Sequence, residues 1–142
     1  MLVNDLMVQD VATIPPDATC ADAAKVMRAE DVGLLILAQY GKLAGVVSDR
    51  SLVVDCIAAG LDPAVTPVGH ISAAAIYTVR PDQPIEAALR AMREFGFRRL
   101  PVVDDDGTIL GVISMADIAP YVRQLLDDLL VETASYSRVA AD

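Results

Sequence analysis

Ser114 and Asp117 stand three residues apart in the stretch Gly111-Val112-Ile113-Ser114-Met115-Ala116-Asp117. Ile109 to Ile113 is an apolar run that predicts a buried strand, and a helical pattern begins just after Ser114. The pair therefore falls at a strand-to-helix corner, where the first turn of a helix presents unpaired N–H groups. A hydroxyl and a carboxylate placed there can face the same ligand. The carboxylate accepts two hydrogen bonds, which suits the vicinal hydroxyls of a sugar. The same residues also fit a capping box, in which Ser114 and Asp117 serve only the helix end. The stretch alone admits both readings.

The elements that would position this corner belong to an aliphatic, acidic chain. Its 142 residues are 54% hydrophobic and only 4% aromatic, with no tryptophan, and mean hydropathy is +0.45. One ordinary domain or two small fused ones can be built at this length, with a real core and little disorder. A formal net charge of −9 repels phosphate backbones and anionic membranes, so neither nucleic acid nor membrane is an expected partner. The scarcity of aromatic residues also argues against stacking platforms for single strands. The longest apolar run, Val32 to Ala38, is too short to span a bilayer, and no signal-peptide pattern opens the chain. A cytoplasmic protein is the expectation.

Taken in order, the chain predicts a short helical entry at Asn4–Met7 and a short strand from Val11 to Ile14, ended by Pro15-Pro16. Thr19 and Asp22 have capping-box spacing and open a helix to about Glu30. Leu34–Ala38 and a second strand through Val47 follow, then a helix from Ser48-Asp49 to about Ala59. Residues 61–67 read as a linker, separating a first unit (1–60) from a second (68–122). The second unit repeats the order: a strand at Ile76–Val79, a helix at Pro84–Phe95, strands at Leu100–Val103 and Thr108–Ile113, and a helix from about Met115. Met27 and Met92 lie 65 residues apart, as do Thr13 and Thr78, whereas Gly45 and Gly111 lie 66 apart because the second hairpin turn is one residue longer. A constant offset through one β-α-β-β-α order marks a tandem duplication.

The fold class expected is therefore α+β, with two repeats packed sheet to sheet about a pseudo-twofold axis. Two related clefts follow, each built from both repeats, and such clefts are common ligand sites.

Gly111-Val112-Ile113-Ser114-x-x-Asp117-Ile118 and Arg99-Leu100-Pro101-Val102-Val103-Asp104 resemble the signature of the cystathionine-β-synthase (CBS) domain, and Gly45-Val46-Val47-Ser48-Asp49-Arg50-Ser51-Leu52 resembles a variant of it. Residues 2–122 are similar to a tandem CBS pair, or Bateman module. Ala58–Pro63 and Ile76-Tyr77 resemble the small stand-alone CBS-pair proteins of the mycobacterial hypoxic-response type. The resemblance implies a regulatory, stress-linked module that binds an adenine nucleotide, namely AMP, ADP, ATP or S-adenosylmethionine, and requires no cofactor. It implies Asp117 on the ribose with Ser114 beside it, and Arg98 and Arg99 on the phosphate side. Val11, Ala12, Val32 and Gly33 would lie near the base, with Asp10 at its edge. Apolar walls and guanidinium forks suit a purine and a phosphate respectively, although adjacent arginines on a strand edge can equally be solvated.

The mirror corner departs from this pattern. Ser51 stands where the second repeat has Asp117, and Gly33-Leu34 where it has Arg98-Arg99, with Glu30 and Asp31 close by. One competent cleft and one degenerate cleft are expected.

Catalysis is not expected. His70 is the one histidine and borders the linker, and no nucleophile elbow, Walker A, zincin or dinucleotide motif occurs. Asp104-Asp105-Asp106 fits either a hairpin turn or a hard-cation site. Cys20 and Cys56 lack metal-ligand spacing and read as small core residues, with a disulfide left open. Two functions of different kinds fit: a ligand sensor that signals through its assembly or a protein partner, or a dimeric scaffold whose clefts are vestigial. The resemblance implies a homodimer through the outer helices. Tyr121-Val122, Leu125-Leu126 and Leu129-Leu130 continue the last helix as an amphipathic extension, and the tail beyond Glu132 is expected to be loose.

Overall fold

The computed structural model describes residues 1–73 and 77–141. Its elements are α1 (Val3–Leu6), β1 (Thr13–Ile14), α2 (Cys20–Glu30), β2 (Leu34–Gln39), β3 (Lys42–Ser48), α3 (Asp49–Ser51) running into a π-helical segment (Leu52–Ile57), α4 (Val68–Ile71), α5 (Ile85–Phe95), β4 (Arg99–Val103), β5 (Ile109–Ser114) and α6 (Met115–Ala141). One sheet has the order β1-β2-β3 and the other pairs β4 with β5. Of the strand expected at Ile76–Val79, Ile76 lies outside the described residues. Val79 makes a parallel bridge to Val102 and exchanges hydrogen bonds with Pro101 and Val103.

Local chemistry explains where the helices start. Thr19 Oγ1 accepts from Asp22 N at 3.1 Å and Asp22 Oδ2 accepts from Thr19 N at 3.2 Å. That backbone bond holds the Asp22 carboxyl below its ordinary range. α2 ends with Asp31 in the left-handed region, at φ 53°, and α5 ends at Gly96, at φ 74°, where glycine carries no steric penalty.

The duplication is visible in the packing. Ile14, Cys20, Ala23, Met27, Leu35, Leu37, Val47 and Leu52 form one core. Val79, Ile85, Ala88, Met92, Leu100, Val102, Ile113 and Ile118 form the other, position for position. The short leading helices are exchanged between them. Val3 of α1 is fully buried in the second core, and Val68 of α4 in the first. The anchoring bonds repeat too: Val3 N donates to Gln83 O at 2.9 Å while Val68 N donates to Ala18 O at 2.7 Å. Ile85 N donates to Met1 O at 3.2 Å while Cys20 N donates to Thr66 O at 2.9 Å. The segment expected as a linker is thus clamped against the start of α2, and each repeat lends its leading helix to the core of the other.

Two expectations change. The helix after Ser48 widens into π geometry, with Ala58 N donating to Val53 O at 2.8 Å. The tail beyond Glu132 is helical as far as Ala141; no glycine or proline follows Pro120 to break it, and Thr133 Oγ1 bonds back to Leu129 O at 2.8 Å. Among the described residues, no helix is long and apolar enough to cross a membrane.

Candidate functional site

The corner between β5 and α6 forms a full capping box. Asp117 Oδ2 accepts from Ser114 N at 2.8 Å and from Ser114 Oγ at 2.7 Å, while Ser114 Oγ accepts from Asp117 N at 3.2 Å. The cap therefore engages one carboxylate oxygen, and among the described residues Oδ1 has no hydrogen-bond partner. Asp117 and Ser114 are both half-buried, and both line a cleft of about 340 Å³. Cap and ligand contact are compatible here.

Strand register brings the charge. Arg99 lies directly opposite Ser114 in the antiparallel β4–β5 pair, so the two side chains share one sheet face. Among the described residues the guanidinium forms no ion pair. The opposing wall comes from the first repeat, and the cleft is lined by Val8, Asp10, Val11, Ala12, Val32, Leu34, Ile36, Arg99, Val112, Ser114, Ala116 and Asp117. The Val8 wall is strapped on by an antiparallel bridge, with Val8 N donating to Val112 O and Val112 N to Val8 O, each at 2.9 Å.

The structure thus gathers Asp117, Ser114, Arg99, Asp10, Val11, Ala12 and Val32 around one space. Gly33 and Arg98 are not part of its lining. They are pseudo-equivalent, and each carbonyl accepts from the first residue of the next helix at 2.9 Å: Asp49 N to Gly33 O, and Met115 N to Arg98 O. A Cβ on Gly33 would meet the Asp49 carboxylate at 2.9 Å, not a ligand. Alternation explains both, because successive side chains leave a strand on opposite faces. The same alternation could have added Leu34 and Ile36 to Val32, and Val112 to Ser114; Val8 and Ala116 carry no such signal.

The mirror cleft is lined by Leu34, Val46, Ala73, Tyr77, Phe97, Arg99, Leu100 and Pro101 and encloses only about 70 Å³. Tyr77 stacks on Phe95 with ring centroids 3.5 Å apart and 13° between planes, and lies 5.7 Å from Phe97. Ser48 Oγ accepts from Ser51 N at 3.1 Å and pairs with Ser51 Oγ at 2.9 Å. The cap is kept there without the carboxylate, and among the described residues the space beside it is smaller.

A CBS domain family model matches residues 3–55 and again 68–124, most of the chain. The chain belongs to the CBS domain family. This CBS pair is 34% identical over 122 residues to Hypoxic response protein 1 of Mycobacterium tuberculosis, covering 85% of each protein. It superposes on Hypoxic Response Protein I, solved with two coordinated zinc ions, with a TM-score of 0.78 and 32% identity, covering 84% of this chain and 98% of that one. It also superposes on a CBS domain protein from Pyrobaculum aerophilum complexed with AMP, with a TM-score of 0.74 and 27% identity, covering 83% and 90%. The zinc is that relative's. Among the described residues of this CBS pair, no three His, Cys, Asp or Glu side chains converge on a common point.

The other groups singled out in the sequence are engaged elsewhere. Asp104 Oδ1 accepts from Asp106 N and Thr108 N at 2.9 Å each, closing the hairpin turn. The Arg80 guanidinium pairs with Asp105 and holds its carboxyl below the ordinary range. Cys20 and Cys56 are free thiols in the first core. Burial, then the neighbouring Cys56, pushes Cys20 up to about 11, so it stays a neutral thiol at pH 7.

Proposed function

We propose that this CBS pair is a regulatory module, not an enzyme, that binds an adenine nucleotide (AMP, ADP, ATP or S-adenosylmethionine) in the cleft of the second repeat. The observation that carries this reading is the juxtaposition of Asp117, Ser114 and Arg99 across from apolar residues of the first repeat. The free Oδ1 and the capped Oδ2 of Asp117 can accept from two ribose hydroxyls, Arg99 can fork onto a phosphate, and Val11, Ala12 and Val32 can cover a purine face. Asp10 sits at the mouth and Ser114 beside the sugar. In this reading Arg98 and Gly33 hold the corners, not the ligand.

Binding is transmitted through assembly, since a ligand shifts an equilibrium only by favouring one arrangement. A homodimer through the outer helical faces is supported by an apolar groove of about 550 Å³ between α2 and the π-helical segment, lined by Ala21, Ala24, Leu52, Val53 and Ile57 among others. Buried free thiols suit a cytoplasmic setting. The test is calorimetry with AMP, with sedimentation run on the same samples: heat and an altered dimer population are expected. Silence at millimolar nucleotide favours the second reading, a dimeric scaffold with vestigial clefts, for which the filled mirror cleft is the supporting observation.

A further inference from the structure

We infer that the open cleft selects its ligand by charge, taking adenosine-type ligands with one phosphate, with none, or with a sulfonium cation, and rejecting di- and triphosphates. This rests on the adenine-nucleotide reading and narrows it. The lining contains two carboxylates, Asp10 and Asp117, and a single guanidinium, Arg99. One guanidinium pairs bidentately with one phosphate. Each further phosphate would give up water without a partner while facing a net negative wall.

Among the described residues, no second cation lines the cleft. Arg98 is not in the lining; its carbonyl is tied to the first residue of α6. Arg90 and Arg93 lie together along a different surface, beside Leu89 and Met115. The chain as a whole carries a formal net charge of −9, so its far field also opposes a polyphosphate. Size points the same way, since about 340 Å³ lies near the lower end of the roughly 300–1,000 Å³ typical of ligand pockets. A sulfonium nucleoside, by contrast, gains from the two carboxylates and asks nothing of a second cation.

The experiment is calorimetry on the full chain at low salt without divalent metal, titrating adenosine, AMP, ATP and S-adenosylmethionine in parallel. AMP and S-adenosylmethionine are expected to bind at least about tenfold more tightly than ATP, the scale of one partly screened charge contact. Asp10→Asn should narrow the AMP-to-ATP gap by roughly two- to fivefold, as befits an exposed charge. Arg99→Gln should weaken AMP about tenfold and leave adenosine unchanged. ATP binding as tightly as AMP would overturn the charge selection while leaving the nucleotide site intact. No heat from any of the four would overturn both.

Discussion

The two clefts are one design carried to different ends. Under the pseudo-twofold relation Ala12 corresponds to Tyr77, Val32 to Phe97, and Asp117 to Ser51. Both corners keep a serine that caps the following helix, so the helix end needs only the hydroxyl. What distinguishes the open cleft is what the cap does not require: a carboxylate with one oxygen to spare, and small residues where the mirror has aromatic rings. The difference of about 340 against 70 Å³ goes with those side chains, at corners whose serine caps match. A cap explains Ser114; it does not explain Asp117 together with the space in front of it.

The largest effect expected from breaking this comparison is on affinity. Asp117→Ala removes the acceptor for two sugar hydroxyls, and charge-assisted bonds of roughly 1.5 kcal/mol or more each make the loss about a hundredfold. Ser114 Oγ can still accept from the N–H of residue 117, so the fold should lose only about 1 kcal/mol. Calorimetry and urea unfolding on the same variant separate the two. A stability loss several times that size would return Asp117 to the helix.

Next in size is a pair of glycines at equivalent strand positions. A Cβ on Gly111 would meet Val8 O at 2.5 Å, so Gly111→Ala must push away the backbone that walls the open cleft. On Gly45 it would meet Ser72 Oγ at 3.0 Å, Ser72 Cβ at 3.3 Å and Ala73 O at 3.5 Å, a milder crowding that a shift of a few tenths of an ångström by Ser72 relieves at the expense of its bond to Gly69 O. Gly111→Ala should cost about 1–3 kcal/mol and weaken nucleotide binding roughly tenfold, whereas Gly45→Ala should stay within about 1 kcal/mol and bind normally. Thermal shift with and without AMP reads both. Equal costs would mean that the two straps are equivalent.

Much of this was legible in the sequence because duplication prints every position twice. The offset between Met27 and Met92 aligned the cores and located the corner, and the capping pattern of Thr19 and Asp22 fixed a helix start that the structure reproduces. What escaped depended on direction. Arg98 and Arg99 look alike in a string, but adjacent strand residues cannot both face one cleft. The exchange of α1 and α4 between cores is long-range packing that no local pattern encodes. The filling of the mirror cleft by Tyr77 and Phe97 was written in the alignment of the repeats, as large residues opposite small ones, yet only the volume gave it meaning. The helical tail followed from the absence of breakers, a weaker signal than its polar composition.

The smallest effect, and the sharpest for the comparison, is expected from restoring the missing carboxylate. Ser51→Asp places an acid where the mirror corner lacks one, next to a Ser48 that already caps. Arg99 borders the mirror cleft as well, so charge is not the only obstacle there. The stacked Tyr77 and its neighbour Phe97 line the small mirror cleft, where Ala12 and Val32 stand in the open one. Ser51→Asp alone should leave the calorimetric stoichiometry at one nucleotide per chain and the affinity of the open cleft unchanged. Adding Tyr77→Ala and Phe97→Val, the residues of the other cleft, should cost about 1–3 kcal/mol of stability, since both rings are partly exposed and give up stacking. If the triple variant binds a second nucleotide, volume was the barrier. If it does not, one arginine cannot serve two clefts, and the asymmetry lies in charge as much as in space.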